Sequence, residues 1–137
     1  MNNIKLIALD LDGTLFNREG IITQACKAEL NRAAAQGVKI VISTGRPFNG
    51  LPFEQIKDTA IEYALTTNGA SVYKIECKEC LFEDGMNVET ILPLLDWILE
   101  KEIHIDIYMD GVGFTPVRCR ENIGRLAVPE SLRKNMI

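Results

Sequence analysis

One histidine, His104, serves the whole 137-residue chain. A zinc centre needs four ligands from cysteine, histidine or carboxylate, usually in paired spacings. The chain offers a single C-x-x-C, Cys77 and Cys80, with Cys26 and Cys119 isolated from it. That excludes the paired-knuckle pattern, and the composition is not that of a secreted disulfide scaffold. The cysteines are expected to be reduced, with Cys26 on a helix face turned to the core. No apolar run approaches the roughly 18 residues of a membrane span, so no membrane partner is expected. No positively charged leader with a cleavage site opens the chain, and the cytoplasm is the default compartment. Basic residues are in deficit, at a net charge of -4, which argues against a nucleic-acid partner. Internal repeats and low-complexity tracts are also missing. What remains is 47% hydrophobic and 25% charged, the balance of a globular protein with a real core.

The most informative stretch is Ile4 to Leu15, Ile-Lys-Leu-Ile-Ala-Leu-Asp-Leu-Asp-Gly-Thr-Leu. A nearly continuous apolar run, read as a buried strand, stops abruptly at Asp10 and Asp12. Gly13 and Thr14 follow at once. Such a strand carries paired negative charge to the rim where open α/β sheets bind ligands. Two neighbouring carboxylates repel unless a cation, a proton or a donor compensates them. Mg²⁺ fits that need with one or two carboxylates, waters and a phosphate. A calcium loop would continue the alternation of oxygen ligands, and no acid does so after Asp12.

Further along, strands and helices alternate. Thr23 is placed to cap a helix that runs to about Gln36, with Cys26, Leu30 and Ala33 or Ala34 at helical spacing and Gly37 beyond its end. Val38 to Ile42 has the pattern of a central parallel strand covered on both faces. A short helix is expected over Phe53 to Thr59 and a third strand over Tyr63 to Thr66. The order β-α-β-α-β predicts an α/β fold with a parallel sheet. The pattern then changes to a hairpin, Ala70 to Ile75 with Cys80 to Phe82. Asn87 to Lys101 is amphipathic, and Pro93 either kinks this helix or marks its true start. Ile103 to Met109 and Val112 to Thr115 flank Asp110-Gly111, a strong hairpin turn. Pro116 to the end, with Arg118, Arg120, Arg125, Arg133 and Lys134, reads either as surface of this second part or as a solvated tail.

Asp10-Leu11-Asp12-Gly13-Thr14-Leu15 resembles the first signature of the haloacid dehalogenase-like (HAD) phosphohydrolases. Val38 to Pro47 resembles the second signature. Thr44-Gly45-Arg46-Pro47 and Thr67-Asn68-Gly69-Ala70 are similar to the Cof-type branch, which carries a large α/β cap (subclass IIB). The resemblance runs from Ile4 to about Thr115. It implies a Rossmannoid parallel sheet over residues 1–84, the N-terminal part of the core, followed by the start of an α+β cap over 85–137.

That resemblance also implies a chemistry. Asp10 is expected to attack phosphorus and form an aspartyl-phosphate. Asp12 is expected to protonate the leaving alkoxide and then to activate water. Asp10 and Asp12, the latter through its backbone carbonyl, are the expected Mg²⁺ ligands. Leu11, Gly13 and Thr14 are expected to bind the phosphoryl group, with the turn at Gly13 and Thr14 aiming its amides at the oxygens. Thr44 is expected to hydrogen-bond a phosphate oxygen, with Ser43 on the opposite face. Gly45 lets the backbone approach closely. Arg46 either reaches the substrate or braces its loop. Asn68 and Gly69 sit at the same rim, as substrate contacts or as a plain turn. The substrate expected is a small phosphorylated metabolite.

The chain departs from the family in one respect. No lysine and no Gly-Asp-x-x-Asn-Asp signature follow the cap segment, so the sequence reads as a C-terminally shortened member with impaired activity. The alternative is a non-catalytic remnant or interaction module that self-associates or pairs with another chain.

Overall fold

In the computed structural model, residues 4–101 and 103–119 are described. The core is a five-stranded sheet built from β1 (Leu6–Leu9), β2 (Lys39–Ser43), β3 (Ile61–Thr66), β4 (Ser71–Lys74) and β5 (Glu79–Glu83). The strands lie in sequence order, β1-β2-β3-β4-β5. The first three are parallel, and β3-β4 and β4-β5 are antiparallel. This is the α/β Rossmannoid arrangement expected.

The layers follow from the sequence pattern. Ile40, Val41 and Ile42 are all buried, as β-branched residues of a strand covered on both faces should be. Ile40 and Ile42 join Leu11, Leu15, Ile22, Leu30, Leu51, Ile56, Ile61 and Ala64 in one cluster. The helix α1 (Gln24–Ala34) supplies Leu30 to it, with Cys26 half-buried at its flank. Thr23 caps α1, its hydroxyl accepting from the Cys26 amide at 3.2 Å. Gly37 takes φ +83° after the last turn, a conformation that favours glycine. Helix α2 (Phe53–Ile56) is one turn long, shorter than expected. Its Gln55 pins the β1–α1 connection by accepting from the Ile22 amide and donating to the Gly20 carbonyl.

One expectation fails here. The first strand is not buried: it lies at the edge of the described sheet, with Leu6 55% exposed and Ile4 61%. Its apolar run is suited to two covered faces, but among the described residues no strand pairs beyond it.

The remainder comprises α3 (Val88–Leu99) and a separate hairpin of β6 (Ile107–Met109) and β7 (Val112–Phe114). Asn87 caps α3, accepting from the Glu89 and Thr90 amides. Pro93 lies inside the helix and does not mark its start. Ile91, Leu95 and Ile98 are half-buried, whereas Leu92, Leu94 and Trp97 are exposed. Asp106 accepts from the Thr115 hydroxyl at 2.6 Å and lies 3.2 Å from His104 Nε2, tying the entry of the hairpin to its exit. Among the described residues no helix is long and apolar enough to cross a membrane. Arg120, Arg125, Arg133 and Lys134 lie outside the described residues.

Candidate functional site

Parallel strands bring three loops to one rim. Asp10 follows the end of β1, Thr44 that of β2 and Thr67 that of β3, all on the carboxyl side of the sheet. The loops are bonded directly to one another. The Thr44 amide donates to the Leu65 carbonyl at 3.0 Å, the Thr67 amide to the Arg46 carbonyl at 2.9 Å, and the Asn68 amide to the Thr44 carbonyl at 3.1 Å. A Cβ on Gly45 would stand 2.9 Å from Asn68 Oδ1, so any larger residue would push the Asn68 side chain from its place.

Leu11–Leu15 forms a tight turn after β1. The Leu15 and Phe16 amides donate to the Asp10 and Leu11 carbonyls at 3.1 and 2.9 Å, which leaves the Asp12 carbonyl outside this pair of bonds. Gly13 has φ +80°, and nothing crowds its missing Cβ, so conformation rather than space selects glycine here. Asp10 is exposed, as are Gly13 and Thr14. Leu11 is different: its side chain is fully buried in the core cluster, so only its backbone can face a ligand.

The contacts Arg46 makes in the structure are those of a brace. Its Nε and Nη2 donate to Asp12 Oδ2 and Oδ1 at 2.8 and 2.7 Å, a bidentate pair. Its Nη1 donates to the Gly50 carbonyl at 3.1 Å, and its guanidinium lies 5.2 Å from the Phe16 ring centroid. Arg46 is 5% exposed. Fork-to-fork pairing fixes both direction and register, which a lysine could not do. Thr44 is equally buried, and its Oγ1 accepts from the Arg46 amide at 3.2 Å.

Thr67, Asn68 and Gly69 take φ values of +53°, +56° and +96° in succession. A β-branched residue in this region is strained by about 1–3 kcal/mol, and such strain clusters at functional loops. The sequence carried no signal for the left-handed backbone of Thr67; Asn-Gly announced a turn only at the two residues after it. The rim therefore gathers Asp12, Thr44, Gly45, Arg46 and Asn68 by direct contacts, with Asp10 and the Gly13–Thr14 turn beside them.

Among the described residues no group of three or more histidine, cysteine or acidic side chains gathers for a metal. Two groups would hold an ion here, the exposed Asp10 carboxylate and the Asp12 carbonyl. These are hard oxygen donors and fit a Mg²⁺ that keeps waters and takes a phosphate. The Asp12 carboxylate is committed to Arg46. The four cysteines are free, Cys77 and Cys80 exposed. A cleft of about 600 Å³ lies at the other end of β3, lined by α2, Ile61, Tyr63, Lys74 and Ile75, and includes none of the rim residues.

Known proteins are similar to this chain in sequence and fold. YxeH of Bacillus subtilis (strain 168) is 34% identical over 130 residues, covering 93% of this chain and 47% of YxeH. The pyridoxal phosphate phosphatase YbhA of Escherichia coli (strain K12) is 35% identical over 109 residues, 77% of this chain and 39% of YbhA. A solved haloacid dehalogenase-like hydrolase from B. subtilis superposes with a TM-score of 0.76 at 24% identity, covering 89% of this chain and 42% of that one. The subclass IIB sugar phosphatase BT4131 superposes with a TM-score of 0.67 at 25% identity, covering 81% and 43%. The chain spans about half the length of the curated relatives it matches. The haloacid dehalogenase-like hydrolase family model matches residues 7–124, and with the rim described above this chain belongs to that family.

Proposed function

We propose that this chain is the nucleophile-bearing part of a Cof-type, Mg²⁺-dependent phosphatase of small phosphorylated metabolites, working in the cytoplasm. Residues 1–84 are its core segment and 85–137 the start of its cap. The observation that carries the reading is the shared rim: an exposed Asp10 beside Asp12, Thr44 and Asn68 at the carboxyl ends of three parallel strands. Relatives that act on pyridoxal phosphate and on sugar phosphates support a small phosphorylated substrate.

In the first step an Asp10 carboxylate oxygen bonds to phosphorus and the ester P–O bond breaks. Asp12 gives its proton to the departing oxygen. In the second step water attacks phosphorus, Asp12 takes the water's proton, and the Asp10–phosphorus bond breaks to release phosphate. Thr44 and the turn amides around Gly13 hold the non-reacting oxygens, where preorganised donors stabilise developing charge. The Asp10 carboxylate and the Asp12 carbonyl would hold a Mg²⁺, which would compensate charge between the carboxylate and the phosphate. Both Asp12 oxygens accept from Arg46, so Asp12 has to leave one of these contacts and take up a proton from solvent before it can give one to the leaving oxygen.

The test is turnover of a generic phosphomonoester with Mg²⁺ by the chain and by Asp10→Asn. The reading expects the substitution to abolish whatever turnover the chain has; turnover that survives it removes Asp10 from the role. A second reading is favoured by the exposed apolar residues of α3 and the β6–β7 hairpin, among them Leu92, Trp97, Tyr108 and Met109. In that reading the chain is an interaction module that self-associates or pairs with another chain. Gel filtration with light scattering separates the two, since a cooperative monomer opposes pairing.

A further inference from the structure

In the Asp110–Gly111 turn between β6 and β7, Asp110 is exposed but Gly111 is buried against the sheet region. The Asn49 amide donates to the Gly111 carbonyl at 2.9 Å. Gly111 is buried at φ +74°, and a Cβ there would stand 2.9 Å from Tyr73 Oη and 3.0 Å from Phe48 Cβ. Tyr73 is itself buried on β4 and stacks on Phe48 with ring centroids 4.1 Å apart. Gly113 continues the fit: a Cβ there would lie 3.5 Å from Pro47 Cγ. The turn is thus seated in a socket made by Phe48, Asn49 and Tyr73, and glycine is the residue that fits it.

The same short segment has a second side. Phe48–Gly50 forms a single 3₁₀ turn. Its middle residue holds the Gly111 carbonyl, and its last residue, Gly50, offers the carbonyl that accepts from Arg46 Nη1. Arg46 also donates to both Asp12 carboxylate oxygens, through Nε and Nη2. Consecutive residues therefore link the hairpin turn to the Asp12 carboxylate. The two bonds sit on adjacent residues of one turn, the Asn49 amide and the Gly50 carbonyl, so a shift of the turn on one side bears on the other.

We propose that the Asp110–Gly111 turn is a positioning element for Asp12, acting through Phe48–Gly50 and Arg46. Seated, it holds the Gly50 carbonyl against Arg46 and so holds Arg46 on Asp12. Withdrawn, it frees the turn and loosens the clamp that Asp12 has to leave to meet an ester oxygen. Asn49, Gly50 and Gly111 are positioning residues, since none touches the reacting atoms. The proposal rests on the reading of Asp12 as the proton-handling group, but its test does not use turnover, so either can fail alone.

The experiment is amide and side-chain hydrogen exchange by NMR on the full chain and on Gly111→Asn. Asparagine tolerates positive φ, so the substitution acts mainly through the added side chain. Exchange at the Asn49 amide and at Arg46 Nε–H should both rise by about tenfold or more, the equivalent of one lost hydrogen bond, while Ile42 stays protected. Faster exchange at Asn49 with Arg46 Nε–H unchanged overturns the positioning role. Unchanged exchange at Asn49 overturns the seat itself. If Gly111→Asn loses protection at Ile42, the fold has gone and the wild-type chain decides. In rising sub-denaturing urea, Asn49 and Arg46 Nε–H should open together with the β6–β7 amides. Arg46 Nε–H that stays protected alongside Ile42 after the hairpin has opened overturns the proposal.

Discussion

The rim of the five-stranded sheet and the α3–β6–β7 region are built from similarly apolar sequence, and they use it differently. Around the rim, Leu11, Ile42, Ala64 and Thr66 are fully buried, and even Arg46 is enclosed. In α3 no residue is buried, and Trp97 is 56% exposed. The contrast shows where this chain's own folding energy resides. Parallel strands with a helix laid across them bury apolar surface on their own, whereas an amphipathic helix and a two-stranded hairpin need a further layer to do so. The link between the regions is narrow: a hairpin turn seated on Phe48–Gly50.

Substitutions should divide along this line. Ile42→Ala removes a fully buried side chain from the central strand and should cost about 3 kcal/mol in urea unfolding. Leu92→Ala, at a position 53% exposed, should cost under about 0.5 kcal/mol. Equal costs would erase the contrast. Arg46→Met keeps the volume but leaves the Asp12 carboxylate without its bidentate partner. A partner's loss from a buried pair costs roughly 3–5 kcal/mol, and the partial exposure of Asp12 lowers the expectation to about 2 kcal/mol. A loss near zero would mean that water replaces the guanidinium at no cost and that the rim is less enclosed than its contacts indicate.

The smallest effect concerns pH. Burial first, and the Cys80 thiol beside its hydroxyl second, push Tyr73 up to about 12. The unfolded phenol titrates near 10. Below pH 10 both states hold the proton and stability is unaffected. Between about 10 and 12 the unfolded state releases it while the folded state keeps it, so stability falls as pH rises. Tyr73→Phe should flatten that part of the pH–stability profile, measured by urea midpoints of the two chains. An unchanged slope would assign the alkaline loss to other groups.

Much of the fold was legible because its signals are local. Lys39–Ser43 announced itself by Ile40, Val41 and Ile42 in a row, and Thr23 by its place before a helical period. The first strand misled, since an apolar run is the same whether a strand is central or at an edge. The rim residues were legible as a set, because Asp10, Asp12 and Thr44 fall where apolar strands end. What they do to one another was not. Arg46 and Asp12 are 34 residues apart, and their pairing is a consequence of how β1 and β2 lie side by side. The left-handed Thr67 has no composition signal, because threonine disfavours that conformation; its amide bond to the Arg46 carbonyl and the Asn68 amide bond to the Thr44 carbonyl hold it there. The socket for Gly111 likewise depends on Phe48 and Tyr73, distant in sequence and adjacent in space.

The most direct measurement is the site of phosphoryl attachment. The chain is incubated with Mg²⁺ and a small acyl phosphate, quenched in acid, and mapped by mass spectrometry. The account predicts a single acid-stable, hydroxylamine-labile phosphoryl group on Asp10, absent from Asp10→Asn. A phosphoryl group on any other residue, or none under conditions where the chain stays folded, would contradict it.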